Sequence, residues 1–153
     1  MYLGIDPGNT ESGYAYIRED YSLVEAGKIQ NKEILSHIKR VVGTTIIVES
    51  LQSFGMPVGR EIFETAYFIG RIMQICSDRG LRYYLYPRPE YAKCICGVQR
   101  VTDSVLRQAL LLRFGGDKKD EPLYLLKGAS DKRSAFAVAA YHIDKIKYDE
   151  GMR

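Results

Sequence analysis

The sequence contains no tryptophan and little cysteine or histidine. Its 153 residues include three cysteines and two histidines. An odd number of cysteines cannot pair completely, and the Cys94-x-Cys96 spacing is too short for a standard zinc half-site. Together with Cys76, these residues are therefore expected to remain reduced and to bind no metal. The two histidines, His37 and His142, are not expected to complete a Cys/His zinc set with these cysteines.

Long hydrophobic runs and several common enzyme motifs are absent too. The longest apolar stretches, such as 45–48 and 134–141, are well short of the roughly 18 residues that a transmembrane helix needs. The first residues lack the basic and apolar regions of a secretory signal, so we expect a cytoplasmic protein without a membrane span. No His-Glu-x-x-His, Gly-x-Ser-x-Gly or Walker motif occurs, which excludes several hydrolase and nucleotide-binding classes.

Proline is scarce as well, and the overall composition is that of a globular protein. The chain has five prolines, 46% hydrophobic residues and 27% charged residues. These values are typical of folded domains and unlike those of disordered or collagen-like chains. A chain of this length favours one domain, which we expect to span residues 1–153.

The net charge of +3 is small but unevenly distributed. The first 50 residues carry a net charge of −2 and the remaining residues a net charge of +5. Between residues 60 and 113 most basic residues are arginines, and Tyr83, Tyr84 and Tyr86 lie among them. Arginine interspersed with tyrosine is typical of surfaces that bind phosphates and bases, but an ordinary solvated surface has a similar composition. Both interpretations stay open on charge alone.

Hydrophobic patterns predict an α/β fold. Apolar and β-branched runs between turn signals predict five strands, at residues 2–5, 13–18, 22–29, 44–49 and 81–86. Helical spacing predicts four helices, at residues 32–42, at 60–78, from 102 or 103 to 114, and from 130 or 131 to about 146. Residues 87–89, Pro-Arg-Pro, are interpreted as a break. Three antiparallel strands followed by two parallel strands would form a mixed five-stranded sheet flanked by helices.

Two carboxylates directly follow apolar strands. Asp6 comes after Leu-Gly-Ile, and Glu49 comes after Ile-Ile-Val. If these strands pair in parallel, the two side chains meet at the carboxyl edge of the sheet, where ligands of open α/β sheets bind. Asp131, at the start of the last helix, could complete a group of three acids that binds Mg²⁺ or Mn²⁺. The alternative is purely structural: a turn residue, a solvated strand end and a helix cap.

Four motifs, taken in order, resemble those of RuvC-like Holliday junction resolvases in the RNase H superfamily. They are Leu3-Gly4-Ile5-Asp6-Pro7-Gly8, Ser12-Gly13-Tyr14-Ala15, Ile47-Val48-Glu49-Ser50, and Ala135-Phe136-Ala137-Val138-Ala139-Ala140-Tyr141-His142 after Asp131. The short chain and the segment from Arg107 to Gly115 are similar to the phage-borne branch of this family. The resemblance implies an RNase H-like fold and a homodimeric, Mg²⁺-dependent endonuclease of DNA recombination and repair. Its substrate would be four-way or other branched DNA, in the host cytoplasm if a phage encodes it.

The resemblance also assigns roles to the three acids. By position, Asp6, Glu49 and Asp131 match the catalytic, metal-binding carboxylates of the family. Two Mg²⁺ ions bridged by Asp6, for which Mn²⁺ could substitute, would support hydrolysis and paired, symmetric nicks. The sequence departs from the family at Ser134, where a second acid commonly follows the first by three residues. Three explanations stay open: Asp131 suffices at this helix, the serine is not the natural residue, or the second ion is held weakly.

Basic and aromatic residues near these motifs are candidate DNA contacts. The resolvases carry an aromatic residue near the junction point in the region that follows Glu49, which suggests that Phe54 stacks on an unpaired base. Packing under a loop is the alternative for Phe54. The candidate phosphate contacts are Arg60, Lys93, Arg100, Arg107, Lys118, Lys119, Lys127, Lys132 and Arg133. Individually, each such residue is more often an ordinary solvated surface charge than a DNA contact.

Three other functions fit parts of the sequence. An RNase H-fold nuclease that cuts flaps, forks or RNA–DNA hybrids would have the same fold and metal site, so only a comparison of substrates separates it from a resolvase. A junction-binding protein without catalysis stays open because Ser134 stands in place of an acid, although the presence of Asp6, Glu49 and Asp131 together argues against lost catalysis. Residues 4–10 also resemble the first phosphate-binding turn of sugar kinases and actin-type ATPases. Those proteins need two such domains and a second phosphate loop, for which this chain is too short.

Overall fold

One mixed sheet of five strands forms the centre of the protein. In this computed structural model, which describes residues 1–116, 118–126, 128 and 130–151, the strands lie in the order β3-β2-β1-β4-β5. They are β1 (Tyr2–Asp6), β2 (Glu11–Ile17), β3 (Leu23–Gln30), β4 (Thr45–Ser50) and β5 (Tyr83–Pro87). Strands β1 to β3 are antiparallel neighbours, whereas β4 pairs in parallel with both β1 and β5. The predicted α/β class and mixed five-stranded sheet are confirmed.

Helices cover both faces of this sheet. They are α1 (Asn31–Ile38), α2 (Arg60–Asp78), α3 (Arg88–Cys96), α4 (Asp103–Phe114) and α5 (Ser130–Gly151), with a 3₁₀ turn at Tyr124–Leu126. Helices α1 and α2 pack on one face, and α5 packs on the other face together with α3 and α4. Within the described ranges, no helix has the length and apolarity that a membrane span needs.

The central strand β4 is buried along its apolar run. Ile46, Ile47 and Val48 are fully inaccessible to solvent. Because β4 has a neighbouring strand on each side and helices on both faces, it needs apolar residues at successive positions rather than at alternate ones. Glu49, the next residue of β4, is the first polar residue after this buried run.

Small residues bring α5 very close to β1 and β2. A Cβ atom added to Gly4 would overlap the carbonyl oxygen of Ala135, and one added to Gly13 would lie 2.5 Å from the carbonyl oxygen of Asp131. Glycine is therefore the residue that fits where these backbones approach each other. The close packing fixes the first turn of α5 beside the carboxyl end of β1.

Three parts of the structure differ from the sequence prediction. Residues 88–96 form α3 instead of a break, because proline is compatible with the first turn of a helix, where its missing N–H needs no partner. Helix α1 ends at Ile38, where Arg79 Nη1 donates a hydrogen bond to the Ile38 carbonyl at 3.1 Å, and Val42 is 84% exposed. Helix α5 continues to Gly151 rather than ending near residue 146.

Candidate metal and DNA-binding site

Parallel pairing of β1 and β4 brings two carboxylates to one edge of the sheet. Ile5 lies opposite Val48, so the next residues along the two strands are Asp6 and Glu49. Both side chains are half-buried, because strands and helices surround the residues that precede them. The structure thus gives these two acids the juxtaposition that parallel pairing predicts.

The pKa of each of these two carboxyl groups is raised. For Asp6 burial is the largest cause, and the negative charges of Glu49 and Asp131 raise its pKa further. Burial also raises the pKa of Glu49, but a hydrogen bond from the Tyr91 hydroxyl at 2.6 Å opposes this effect. A buried carboxylate crowded by others is stabilised in its ionised form by a nearby cation.

A side-chain network fixes the turn that follows Asp6. The Asn31 amide donates to the carbonyl of Gly8 at 2.9 Å and accepts from Ser12 Oγ at 2.6 Å, and Ser12 Oγ accepts from the Gly8 N–H at 3.2 Å. Residues 7–10 of this turn line a cavity of about 230 Å³ together with Asp6 and Asp131. The third predicted acid therefore shares a cavity with the first.

An ion pair holds Asp131 in this cavity. Its Oδ2 lies 2.7 Å from Lys28 Nζ, which belongs to β3, and this contact lowers the pKa of Asp131. Within the described ranges, no three acid, histidine or cysteine side chains stand close enough together to hold a metal ion. Because the Asp131 carboxylate is engaged by Lys28, an ion held by all three acids requires Asp131 to leave this lysine.

Arg88, the first residue of α3, lies among the acids. Its Nη1 donates to Ser134 Oγ at 2.9 Å, and its Nη2 forms an ion pair with Asp103. Its positive charge lowers the pKa of both Asp6 and Glu49, against the effect of burial. The contacts of Arg88 are not predicted from the sequence, because Pro-Arg-Pro is typical of a break. Proline within the first turn of a helix was the signal that could have shown it.

A second cavity, of about 400 Å³, includes Glu49 and Arg88 in its lining. Most of its other lining residues are apolar, and Phe54 and Met56 are 72% and 74% exposed. Phe54 is therefore not packed under its loop. An exposed aromatic ring beside the carboxylate edge has the surroundings that base stacking needs.

The predicted phosphate contacts of the outer surface are dispersed. Arg60 begins α2, and its guanidinium pairs with Glu64 at 2.6 Å. The other exposed cations are Lys93 in α3, Arg100 in the loop after α3, and Lys118 and Lys119 in the turn after α4. Lys127 lies outside the described residues. None of these side chains contacts the three predicted catalytic acids through a hydrogen bond or ion pair in the described part of the chain.

Of the other three predicted cations, Lys132 and Arg133 directly follow Asp131 in α5, and Arg107 belongs to α4. Lys132 Nζ and Arg133 Nη1 contact the carbonyls of Leu125 and Leu126 at 3.4 and 3.3 Å. Burial lowers the pKa of Arg133 and the charge of Arg107 lowers it further. Two arginines that repel each other beside an acidic site form a local positive field that a bound phosphate would stabilise.

The strand order and the helices on both faces define an RNase H-like α/β fold. One solved structure with this fold, described as T. thermophilus RuvC in complex with Holliday junction substrate, has a TM-score of 0.72 and 15% identity, over 97% of this chain and 95% of that chain. A second Thermus thermophilus RuvC structure has a TM-score of 0.66 and 16% identity, over 97% and 96% of the two chains. The chain therefore has the fold of RuvC. No described protein family and no curated protein matches its sequence.

Proposed function

We propose that this protein is a metal-dependent endonuclease that resolves Holliday junctions or related branched DNA by paired, symmetric nicks. One observation carries the proposal: in a chain with the RuvC fold, Asp6 and Glu49 lie side by side at one edge of the sheet, and Asp131 of α5 lines the same cavity as Asp6. The DNA-bound RuvC structure supports branched DNA as the substrate class. The domain, in this proposal, spans residues 1–153.

The residues at the edge of the sheet fit a divalent cation. Carboxylate oxygens are hard ligands of the kind that Mg²⁺ and Mn²⁺ prefer. Burial raises the pKa of both Asp6 and Glu49, and a bound cation would offset this effect by stabilising the ionised carboxylates. Asp6 and Glu49 would hold the metal, and Asp131 would join them after release from Lys28. The chemistry that such ions supply is activation of a water and stabilisation of the leaving 3′-oxygen.

Other residues would bind and orient the DNA. Phe54 would stack on a base exposed at the branch point, and its high exposure leaves the ring free to do so. Arg107, Lys132 and Arg133 would contact phosphates near the acids, whereas the more distant cations would contact the arms of the junction. Such contacts to the backbone position DNA without reading its sequence.

The proposed enzyme acts as a homodimer, because paired nicks in a symmetric junction need two active sites. Helix α2 presents Ile62, Phe63 and Tyr67 to solvent with 40%, 51% and 69% exposure. Exposed apolar side chains on one helix support a contact between two copies. The proposal places this contact beside the cavity that contains Glu49, since Ile62 lines that cavity.

Cleavage of a labelled four-way junction tests the proposal. With Mg²⁺ or Mn²⁺, the wild-type protein should make paired nicks and leave a matched linear duplex intact. Asp6→Asn removes one negative ligand and should reduce the cleavage rate by about 10³-fold or more while junction binding persists. Asp149→Asn, the same change at an exposed position near the end of α5, is the matched control.

Substrate comparison separates the remaining alternatives. Preferred cleavage of flaps, forks or RNA–DNA hybrids would assign the same site to a different nuclease. Tight junction binding without cleavage in either metal would instead identify a binding protein. Cleavage by Asp6→Asn at the wild-type rate would contradict the assignment of the site itself.

A further inference from the structure

Ser134 occupies a key position in the candidate site but supplies no charge. It lies three residues after Asp131, so both side chains are on the same side of the first turns of α5. Its side chain is 2% exposed, and its hydroxyl accepts a hydrogen bond from Arg88. A neutral hydroxyl that is already bound to a guanidinium is a poor ligand for a divalent cation.

The position of Arg88 is strongly determined. Ser134 binds one terminal nitrogen of its guanidinium and Asp103 binds the other, so α5 and α4 both orient the planar group. The side chain is 29% exposed. An arginine stays protonated in proteins and has no acceptor atom, so it cannot coordinate a metal. It carries a permanent positive charge where a second cation would otherwise approach the acids.

We propose that this site binds one divalent cation per protomer, and that the Arg88 guanidinium supplies the positive charge on the Ser134 side in place of a second ion. This inference rests on the proposed nuclease function and replaces the two-ion arrangement expected from the resemblance. A second divalent ion beside Ser134 would meet a guanidinium instead of a carboxylate. The positive charges of the ion and of the guanidinium would repel each other.

The guanidinium also has donors left for a substrate. Arginine has five N–H donors, and Ser134 and Asp103 each accept from one terminal nitrogen of Arg88. Arg88 lines the same cavity as Phe54 and Glu49, which is open to solvent beside the acids. A phosphate entering there would meet a preorganised donor, which stabilises charge that develops during phosphodiester hydrolysis.

Equilibrium binding of Mn²⁺ tests the ion count without any cleavage. Mn²⁺ is titrated into a fixed amount of protein until binding saturates, and the electron paramagnetic resonance signal of the free ion should then give about one bound ion per wild-type protomer. The double variant Ser134→Asp and Arg88→Met introduces an acid and removes the guanidinium. It should raise the number of bound Mn²⁺ ions per protomer to about two. Ser134→Asp alone should keep a count of one, because Arg88 then pairs with the new carboxylate. A wild-type count of two would overturn the inference even if the double variant fails to fold.

Single-turnover junction cleavage tests the role of Arg88 separately. Arg88→Met should lower the rate by roughly 10²–10³-fold, as loss of one preorganised donor does in other sites, and Arg88→Lys should recover part of it. In subsaturating Mg²⁺ the wild-type rate should rise with the first power of the ion concentration. Equal rates for Arg88→Met and the wild type would overturn the inference. One bound Mn²⁺ without cleavage of any substrate would support the single-ion site and reject the nuclease function.

Discussion

The two faces of the sheet are packed in different ways. Against α1 and α2 the sheet presents large aliphatic side chains, and Ile5, Ile46 and Ile72 are fully buried there. Against α5 the sheet presents glycine at two positions, and the facing side of α5 contains a series of buried alanines. Ile17, Ile47 and Phe136 are buried on the α5 face as well, but only on this face, at Gly4 and Gly13, do the backbones of a strand and a helix meet almost directly.

This difference shows how stability and positioning are divided between the faces. Large aliphatic contacts bury much apolar area, but rotamer changes can absorb a small displacement of a helix. A backbone contact without intervening side chains tolerates almost no displacement. The face with backbone contact is also the one that carries Asp131 and Ser134, so the accuracy of the site depends on Gly4 and Gly13.

The largest expected effect on stability comes from a side chain placed between the backbones of β1 and α5. Gly4→Val places a branched side chain against the Ala135 carbonyl and must push α5 away from β1. We expect a loss of at least about 3 kcal/mol in the free energy of unfolding, because the obstacle is backbone rather than a flexible side chain. Urea denaturation measures this loss.

Gly70→Ala is the control for this prediction. Gly70 is an exposed glycine within α2, and a Cβ there meets nothing within 4 Å. The substitution should stabilise the protein by roughly 0.5–1 kcal/mol. A fully stable Gly4→Val protein would show that α5 can be displaced without consequence, which contradicts the positioning role of this face.

A cavity on the opposite face should reduce stability but leave the site intact. Ile72→Ala removes a fully buried side chain of α2 and should lower the free energy of unfolding by about 2–5 kcal/mol. The Mn²⁺ affinity and the junction cleavage rate of the folded protein should stay at wild-type values. Leu112→Ala, at an 89% exposed position, is the control and should change stability by less than about 0.5 kcal/mol. Loss of Mn²⁺ binding in folded Ile72→Ala would show that both faces position the acids.

The smallest predicted effect is a loss of stability at low pH, caused by a buried histidine on the α5 face. His142 is 2% exposed, and burial, followed by the positive charges of Lys145 and Arg82, lowers its pKa to about 4. Because the folded pKa lies below the unfolded value of about 6.5, protonation favours the unfolded chain. The contribution of this histidine is present above pH 6.5 and is lost as the pH falls towards 4. Between pH 7 and pH 5 we expect a loss of about 1–2 kcal/mol.

Urea denaturation of His142→Gln and wild type across this pH range isolates the effect of the histidine. Asp6, whose raised pKa acts in the opposite direction, is common to both proteins and cancels in the difference. Ile72→Ala should keep the wild-type pH dependence, since the change lies on the other face. Parallel pH profiles for His142→Gln and wild type would disprove the assignment to His142.

Hydrophobic pattern sufficed to predict most of the fold. The continuous β-branched run of β4 indicated burial on both faces, and the apolar spacing of α2 indicated a helix over residues 60–78, which the structure confirms. Helix α3 was missed because its proline-rich first turn reads locally as a break. The predicted bounds of α1 extend too far, because Val42 fits the helical period although it is exposed to solvent.

The juxtaposition of Asp6 and Glu49 could be predicted from the sequence, but the contacts of Lys28 and Arg88 could not. A carboxylate after a buried strand is a local signal, so Asp6 and Glu49 could be identified from their own neighbours. Lys28 is 103 positions from Asp131 in sequence, and Arg88 is 46 positions from Ser134. Their roles depend on which elements meet in space, and no local pattern encodes this.

The contact of α5 with β1 has a consequence for the newly synthesised chain. Asp6 belongs to the first strand and Asp131 to the last helix, so about 125 residues separate two acids that share one cavity. During translation the first strand leaves the ribosome long before the last helix exists. An incomplete chain can therefore display Asp6 and Glu49 but lacks Asp131 and Ser134. Under the proposed function, the set of three acids would therefore be complete only when synthesis is nearly finished.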